Sequence, residues 1–306
     1  MKILLIRSGG LGDCILTLPV ACQIKKIYPG AELHVLGNET MLAAARLSNE
    51  FSGYNSIDTQ GFHLLYTDSE PSEFLKSFFS RFDIVYFYSS GNKELLKRNI
   101  LESGAGKCSI LDPRPPDTPQ CHIADHLMSI FSAAGKNSGC GVYSENSDEM
   151  RCGIPGQSTK TTSNIKKLVI HPGSGGISKI WPIENFLYAA DNISMDATFL
   201  LGQVEIERGT GKAIPVDKYN IIQTANIAQL SSHLAEASLY IGNDSGVSHL
   251  ASYVGTRSIV LFGPTDPAVW RPIGGNVTII SSPDGDIKSI SREEVISKIH
   301  ELNYES

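Results

Sequence analysis

The sequence predicts an α/β protein built from two open, parallel-sheet domains facing each other across a cleft. Three observations carry this. Apolar runs of strand length alternate with amphipathic helical stretches along the chain, the pattern of parallel sheets covered by helices. Near the middle, the stretch SENSDEMRCGIPGQSTKTTSNI at 144–165 is polar, Gly- and Pro-punctuated and without either period, which reads as a linker. The alternation then restarts with KKLVIHPGSGG, and 306 residues accommodate two domains of roughly 150 each. The expected domains are 1–155 and 156–306.

The chain opens with an apolar strand at 2–7, KILLIR, followed by a glycine-rich turn and an apolar-periodic helix over 12–28. Further short runs rich in β-branched and aromatic residues predict strands near 31–36, 55–59, 82–88 and 107–111, and a helical period follows over 119–134. Beyond the linker, strands are expected at 166–171, 196–201, 220–223, 239–242, 257–262 and 276–281. Between and after them lie helices over 183–194, 226–237, 245–254 and 291–303, with Ser245 and Ser291 as N-caps of the last two. Whether the last helix crosses back to the first domain is left open by the sequence.

Composition narrows the function. Twenty-six Lys and Arg against 32 Asp and Glu give a net charge of −6, which disfavours a nucleic-acid reader with a basic face. The six cysteines have no C-x-x-C pair, and nothing in the opening residues resembles a secretion signal, so they read as reduced thiols of a cytoplasmic protein. No window approaches the roughly 18 apolar residues of a membrane span. Any membrane contact is therefore expected to be peripheral.

Three constellations bear on chemistry. The first is Ser8-Gly9-Gly10-Leu11-Gly12-Asp13 between a strand and a helix. Gly10 and Gly12 allow backbone to approach a ligand, but Ile15 stands where a dinucleotide fingerprint needs its third glycine. Asp13 lies in the first helical turn at the carboxyl edge of the sheet, placed to take a proton from a bound hydroxyl. The bland alternative is a capping carboxylate, favoured there by the helix dipole alone. The second is His171-Pro172-Gly173-Ser174-Gly175-Gly176 with Lys179, a glycine turn with amides for an anion and a mobile cation beside it. It lacks P-loop spacing, and a solvated lysine beside a flexible loop is its plain alternative. The third is Gly242-Asn243-Asp244 ending a strand, with a helix starting at Ser245-Gly246 and His249 one turn on. The helix start offers free N–H groups to a phosphate. Asp244, Ser245 and His249 are too close in sequence to be taken for a hydrolytic triad, and no G-x-S-x-G is present.

Two patterns read as decoys. His122 and His126 have metal-binding spacing but no H-E-x-x-H glutamate, and Asp284-Gly285-Asp286 sits in a Pro-Asp-Gly turn, so no metal ligand is assigned.

Taken in order, these constellations resemble glycosyltransferase family 9, the ADP-heptose:lipopolysaccharide heptosyltransferases. The matching residues are R-S-x-x-L-G-D at 7–13 with T-L-P at 17–19, H-P-G-S at 171–174 with K-x-W-P at 179–182, and N-D-S-G-x-x-H at 243–249 with F-G-P-T at 262–265. The resemblance implies a GT-B fold of two Rossmann-like domains, the N-terminal one holding the acceptor and the C-terminal one the nucleotide sugar. It implies an inverting transfer of heptose from ADP-heptose to a lipopolysaccharide inner-core acceptor, with Asp13 as general base and no metal or other cofactor. Lys179 and the amides of Ser245 and Gly246 would then stabilise the departing diphosphate, and Asp244 would contact the donor sugar. Ser174 and His249 fall on the donor side by motif, and Glu205 stands where the family has an acidic residue for the ribose hydroxyls.

Residues 37–140 match nothing in the family pattern, and acceptor specificity is expected there. Residues 93–114 carry Lys93, Lys97, Arg98, Lys107 and Arg114 against Glu94, Glu102 and Asp112, a modest basic surplus for an anionic lipid head group. The alternatives are another nucleotide-sugar donor, a different glycan or a protein acceptor, or a nucleotide-sugar-binding protein that transfers nothing. An NAD-linked oxidoreductase is disfavoured by the broken glycine spacing.

Overall fold

A computed structural model describes residues 1–116, 121–135, 167–224 and 226–304. The chain divides into two compact units, Met1–Pro155 and Gly156–Ser306. The linker expected at 144–165 lies outside the described residues, as do the first two residues of the helix expected at 119–134.

The first unit runs β1 (Lys2–Ile6), α1 (Leu11–Ile27), β2 (Glu32–Gly37), α2 (Glu39–Ala45), β3 (Gly53–Ser56), α3 (Glu73–Phe79), β4 (Ile84–Tyr88), α4 (Lys93–Glu102), β5 (Lys107–Leu111) and α5 (Ile123–Gly135). All pairings are parallel, in the order β3-β2-β1-β4-β5. Ile3 through Ile6 of the central strand β1 are fully buried, as expected for a strand covered on both faces. Helix α1 is buried continuously from Cys14 to Cys22, because it packs between α2 and α5 instead of presenting one face to water. On the other face, Phe62, Phe78, Phe79 and Phe82 form an aromatic cluster with Leu4, Ile6 and Leu36. Strand β3 sits two residues earlier than the apolar pattern suggests, since Gly53 pairs with His34 and the strand ends by Ser56.

The second unit runs β6 (Lys167–His171), α6 (Ile183–Asp191), β7 (Asp196–Leu201), α7 (Gln203–Glu207), β8 (Asn220–Gln223), α8 (Ile227–Ala235), β9 (Leu239–Asn243), α9 (Gly246–Tyr253), β10 (Ser258–Phe262), α10 (Pro267–Trp270), β11 (Val277–Ser281) and α11 (Arg292–Tyr304). Its sheet is also parallel, ordered β11-β10-β9-β6-β7-β8. Helix α11 packs on α6, and its Val295 and Ile299 join the core of this unit. Ser245 and Ser291 cap α9 and α11, accepting from the N–H groups of Ser248 and Glu294.

The strand orders decide where ligands fit. In the first sheet the chain winds outward through β1, β2 and β3, then resumes on the other side at β4, so the switch point lies between β1 and β4. In the second sheet it lies between β6 and β9. Crevices at the carboxyl ends of such strand pairs are where open α/β sheets bind ligands.

One expectation is corrected. Cys14, Cys108 and Cys121 are free, but Cys22 is in a disulfide, so not every thiol is reduced. Scattered spacing in sequence does not report which sulfurs meet in space. Among the described residues, no helix is long and apolar enough to cross a membrane.

Candidate active site

At the switch point of the first unit, β1 runs into the turn Arg7-Ser8-Gly9-Gly10 and then α1. Gly10 is extended and Asp13 is the third helical residue, where its Oδ2 accepts from the Gly10 N–H at 3.2 Å. The capping reading of Asp13 therefore holds, but it uses only one carboxylate oxygen. Oδ1 accepts from Arg7 Nη2 at 3.2 Å, and the Asp13 side chain remains 46% exposed, open to a ligand. The turn is pinned by Asn38, whose Nδ2 donates to Gly9 O at 3.0 Å while its Oδ1 caps α2. Neighbouring Cys14 is a neutral thiol, since burial pushes it up to about 12 against the opposing pull of Arg7.

Further along the same sheet edge, a cavity of about 760 Å³ opens at the end of β5, lined by Lys93, Asp112, Arg114 and His126 among others. Asp112 gathers these side chains: Arg114 Nη2 lies 2.7 Å and Lys93 Nζ 3.9 Å from it, and His126 Nε2 lies 3.3 Å from its carbonyl. The hydrogen bonds from Arg114 hold the Asp112 carboxyl down at about 2. Arg98 is likewise paired with Asp68, so much of the basic surplus of 93–114 is neutralised locally. His122 precedes α5, its Nδ1 accepting from Ala124 N–H at 3.2 Å, so the two histidines do not share one helix face.

In the second unit the loops after β6 and β9 meet at the switch point, and Asp244 is where they join. Lys179 Nζ donates to Asp244 Oδ2 at 2.8 Å, Thr265 Oγ1 donates to the same oxygen at 2.7 Å, and Ser174 Oγ donates to the Asp244 carbonyl at 2.7 Å. The Asp244 side chain is 8% exposed and that of Lys179 30%. The lysine is thus held beside the start of α9 with its ammonium partly in solvent. Asn243 is fully buried and ties the loops together: its Nδ2 donates to the carbonyls of Pro172 and Gly173, and its Oδ1 accepts from Trp181 N–H at 3.1 Å. Trp181 is buried against Phe186, with its Nε1 donating to Ile290 O at 3.0 Å. The motif residues Asn243 and Trp181 therefore build the scaffold, and Lys179 is what the scaffold presents.

Glu205 lies at the third position of α7, where its Oε2 accepts from Gly202 N–H at 2.9 Å and lies 3.6 Å from His171 Nε2. Burial pushes the Glu205 carboxyl up, but His171 and the Gly202 N–H outweigh it and hold the group below its ordinary value. Gly173 packs against it: a Cβ there would stand 1.9 Å from Glu205 Oε1, so any larger residue would displace the Glu205 side chain. His249 is buried inside α9. Asp284 and Asp286 spend their oxygens on the turn, accepting from Ser282, Ser289 and Asp286 N–H, and from Lys288 N–H, respectively.

The structure thus gathers Ser174, Lys179, Asp244, Ser245 and Gly246 in one place in the second unit, with Glu205 in the first turn of α7 after the neighbouring strand β7, and puts Gly10, Gly12 and Asp13 at the carboxyl edge of the first sheet. Sequence reasoning left three residues without roles. Thr265 stands in the F-G-P-T motif, but its bond to Asp244 has no sequence signal. Arg208, exposed, donates from Nη1 to Ser174 O at 2.9 Å and falls in no motif. Arg7 opens the R-S-x-x-L-G-D motif, yet its pairing with Asp13 becomes visible only in three dimensions.

Comparison with known proteins points to one family. The family model described as Glycosyltransferase family 9 (heptosyltransferase) matches residues 109–300. The chain is 29% identical over 84 residues to lipopolysaccharide heptosyltransferase 1 of Salmonella typhimurium, covering 28% of this chain and 26% of that protein. It is 24% identical over 304 residues to lipopolysaccharide heptosyltransferase 3 of Escherichia coli, covering 87% of this chain and 84% of that one. Its fold is similar to that of the E. coli heptosyltransferase WaaC, solved with ADP, at a TM-score of 0.73 and 17% identity over 98% of this chain and 99% of the other.

Proposed function

The chain belongs to glycosyltransferase family 9, the heptosyltransferases, and on that premise we propose that it transfers a heptose from ADP-heptose to a lipopolysaccharide inner-core acceptor with inversion at the anomeric carbon. The observation that carries the donor half is the Lys179–Asp244 pair beside the N-terminus of α9, at the switch point of the second sheet.

In this reading the diphosphate lies over the first turn of α9. The N–H groups of Ser245 and Gly246 and the ammonium of Lys179 face the charge that grows on it, in a site already organised before the reaction. Asp244 accepts from Lys179 and Thr265 through Oδ2, and its Oδ1, which takes part in neither bond, is assigned to the donor sugar. Glu205 is assigned to the ribose hydroxyls. Asp13 takes the proton of the acceptor hydroxyl, and that oxygen forms its bond to the anomeric carbon. The bond from this carbon to the diphosphate oxygen breaks, its electron pair leaves with ADP, and Lys179 and the α9 amides stabilise the product charge. No metal is assigned to any step. We place the reaction at the cytoplasmic face of the membrane, with peripheral contact only.

Thermal unfolding with ADP, ADP-heptose, UDP, GDP and NAD, each with EDTA present, tests the donor assignment. Ligand at about 100 times its dissociation constant adds about 2.7 kcal/mol of stability. ADP and ADP-heptose are expected to raise the midpoint selectively. Stabilisation by UDP or GDP alone would keep the transferase class and discard ADP-heptose, and a response to NAD alone would contradict the reading of both glycine turns.

A further inference from the structure

We propose that Arg7 is a positioning residue for Asp13, a role that rests on the reading of Asp13 as the base. Arg7 directly follows β1 and extends its ladder, its N–H donating to Leu36 O at 3.0 Å. Its side chain is only 8% exposed, and its ion pair is with Asp13 through Nη2. Its Nε is buried, and no group among the described residues accepts from it.

As a stability device this arrangement is poor. A guanidinium has been taken out of water, one of its donors is unanswered, and its partner carboxylate is half in solvent, where attraction is weakest. An apolar side chain of similar length would fill the same space without that desolvation cost.

What the arrangement does provide is geometry. Each Asp13 oxygen is tethered once, Oδ1 by Arg7 and Oδ2 by the Gly10 N–H. The two tethers hold the carboxylate in one orientation and leave lone pairs on its exposed side for an incoming hydroxyl. Gly9 contributes by being small, since a Cβ there would stand 2.9 Å from Asp13 Cβ and 3.0 Å from Oδ2. Without Arg7 only one bond, made by an exposed turn, restrains the carboxylate. A small misplacement of a reacting group is enough to cost about 100-fold in rate. In this reading Arg7 bonds to Asp13 and takes no part in the proton transfer itself. It therefore acts only through Asp13.

The test is steady-state kinetics with ADP-heptose and deacylated inner-core lipopolysaccharide on Arg7→Met, Arg7→Lys, Asp13→Asn and the double variant Arg7→Met/Asp13→Asn, with unfolding midpoints for each. Arg7→Met is expected to lower kcat about 10- to 100-fold, with KM for ADP-heptose and the unfolding midpoint close to wild type. Arg7→Lys should recover part of the loss, and in the Asp13→Asn background Arg7→Met should cost nothing further. A wild-type kcat in Arg7→Met, or an equal loss with and without Asp13, would overturn the proposal. So would an activity loss fully accounted for by unfolding. If Arg7→Met does not fold, Arg7→Gln carries the same comparison. Retained turnover in Asp13→Asn would remove the base assignment and this proposal with it. Loss in Asp13→Asn beside an unaffected Arg7→Met would leave the base in place and remove only Arg7.

Discussion

Asp13→Asn is expected to reduce turnover by about 100- to 10,000-fold, the range spanned by removing a positioned general base, while ADP binds as in wild type. The substitution keeps the shape of the side chain and its ability to cap α1, because the amide oxygen can still accept from Gly10 N–H. It removes the group proposed to take the proton. The residues assigned to the donor belong to the other unit of the chain, so donor affinity should not change. Turnover measured by ADP release, alongside calorimetric titration with ADP, separates the two effects. Near wild-type turnover with donor binding intact would show that Asp13 is no more than the capping residue its position also permits.

Lys179→Ala is expected to weaken ADP binding about 10- to 150-fold, the worth of a hydrogen bond to a charged group at about 1.5–3 kcal/mol, and to lower turnover as well. A phosphate contact made in both the bound and the transition state appears in both quantities. Asp244 makes this variant more than a deletion of one contact. Its carboxylate is nearly buried and takes two donors at Oδ2, from Lys179 and Thr265. Without Lys179 it keeps only the neutral one, so the protein itself should lose stability as well. Lys179→Arg retains the charge and should recover much of the stability, although its planar fork does not reproduce the point charge of an ammonium. Calorimetry with ADP and an unfolding midpoint for each variant check both parts. Unchanged ADP affinity in folded Lys179→Ala would remove Lys179 from the site.

The sequence made the sheets legible because both are parallel and buried on two faces. Runs such as Leu168-Val169-Ile170 and Ile259-Val260-Leu261 are apolar without alternation, and their short length, β-branched content and flanking glycine turns mark them as covered strands. The helix starts were legible for a similar reason, with Ser245 and Ser291 as polar residues standing before apolar periods. Strand β3 was less legible, because it is half-exposed and its boundary is set by pairing with β2 and not by its own composition.

At the site, motif residues and their neighbourhoods separated. Sequence spacing marked Asp13, Lys179 and Asp244, which are also where the loops carry their charges. It left unmarked the bonds that hold those charges in place, since Arg7 to Asp13 spans a turn and Thr265 to Asp244 spans β10. Such bonds depend on strand order, which places the loops after β6 and β9 side by side although 70 residues separate Ser174 from Asp244. Arg208 had no signal at all, its contacts being to the backbone carbonyls of the glycine loop. The disulfide at Cys22 was illegible for the same reason: a helix interior in sequence says nothing of which sulfur reaches it.

The most direct test of the account is the mass of the acceptor after reaction. Deacylated inner-core lipopolysaccharide incubated with the protein, ADP-heptose and EDTA should gain the mass of one heptose residue, with one ADP released per heptose transferred. A protein that is stabilised by ADP-heptose yet leaves the acceptor mass unchanged, or that adds a sugar only from a UDP or GDP donor, would contradict it.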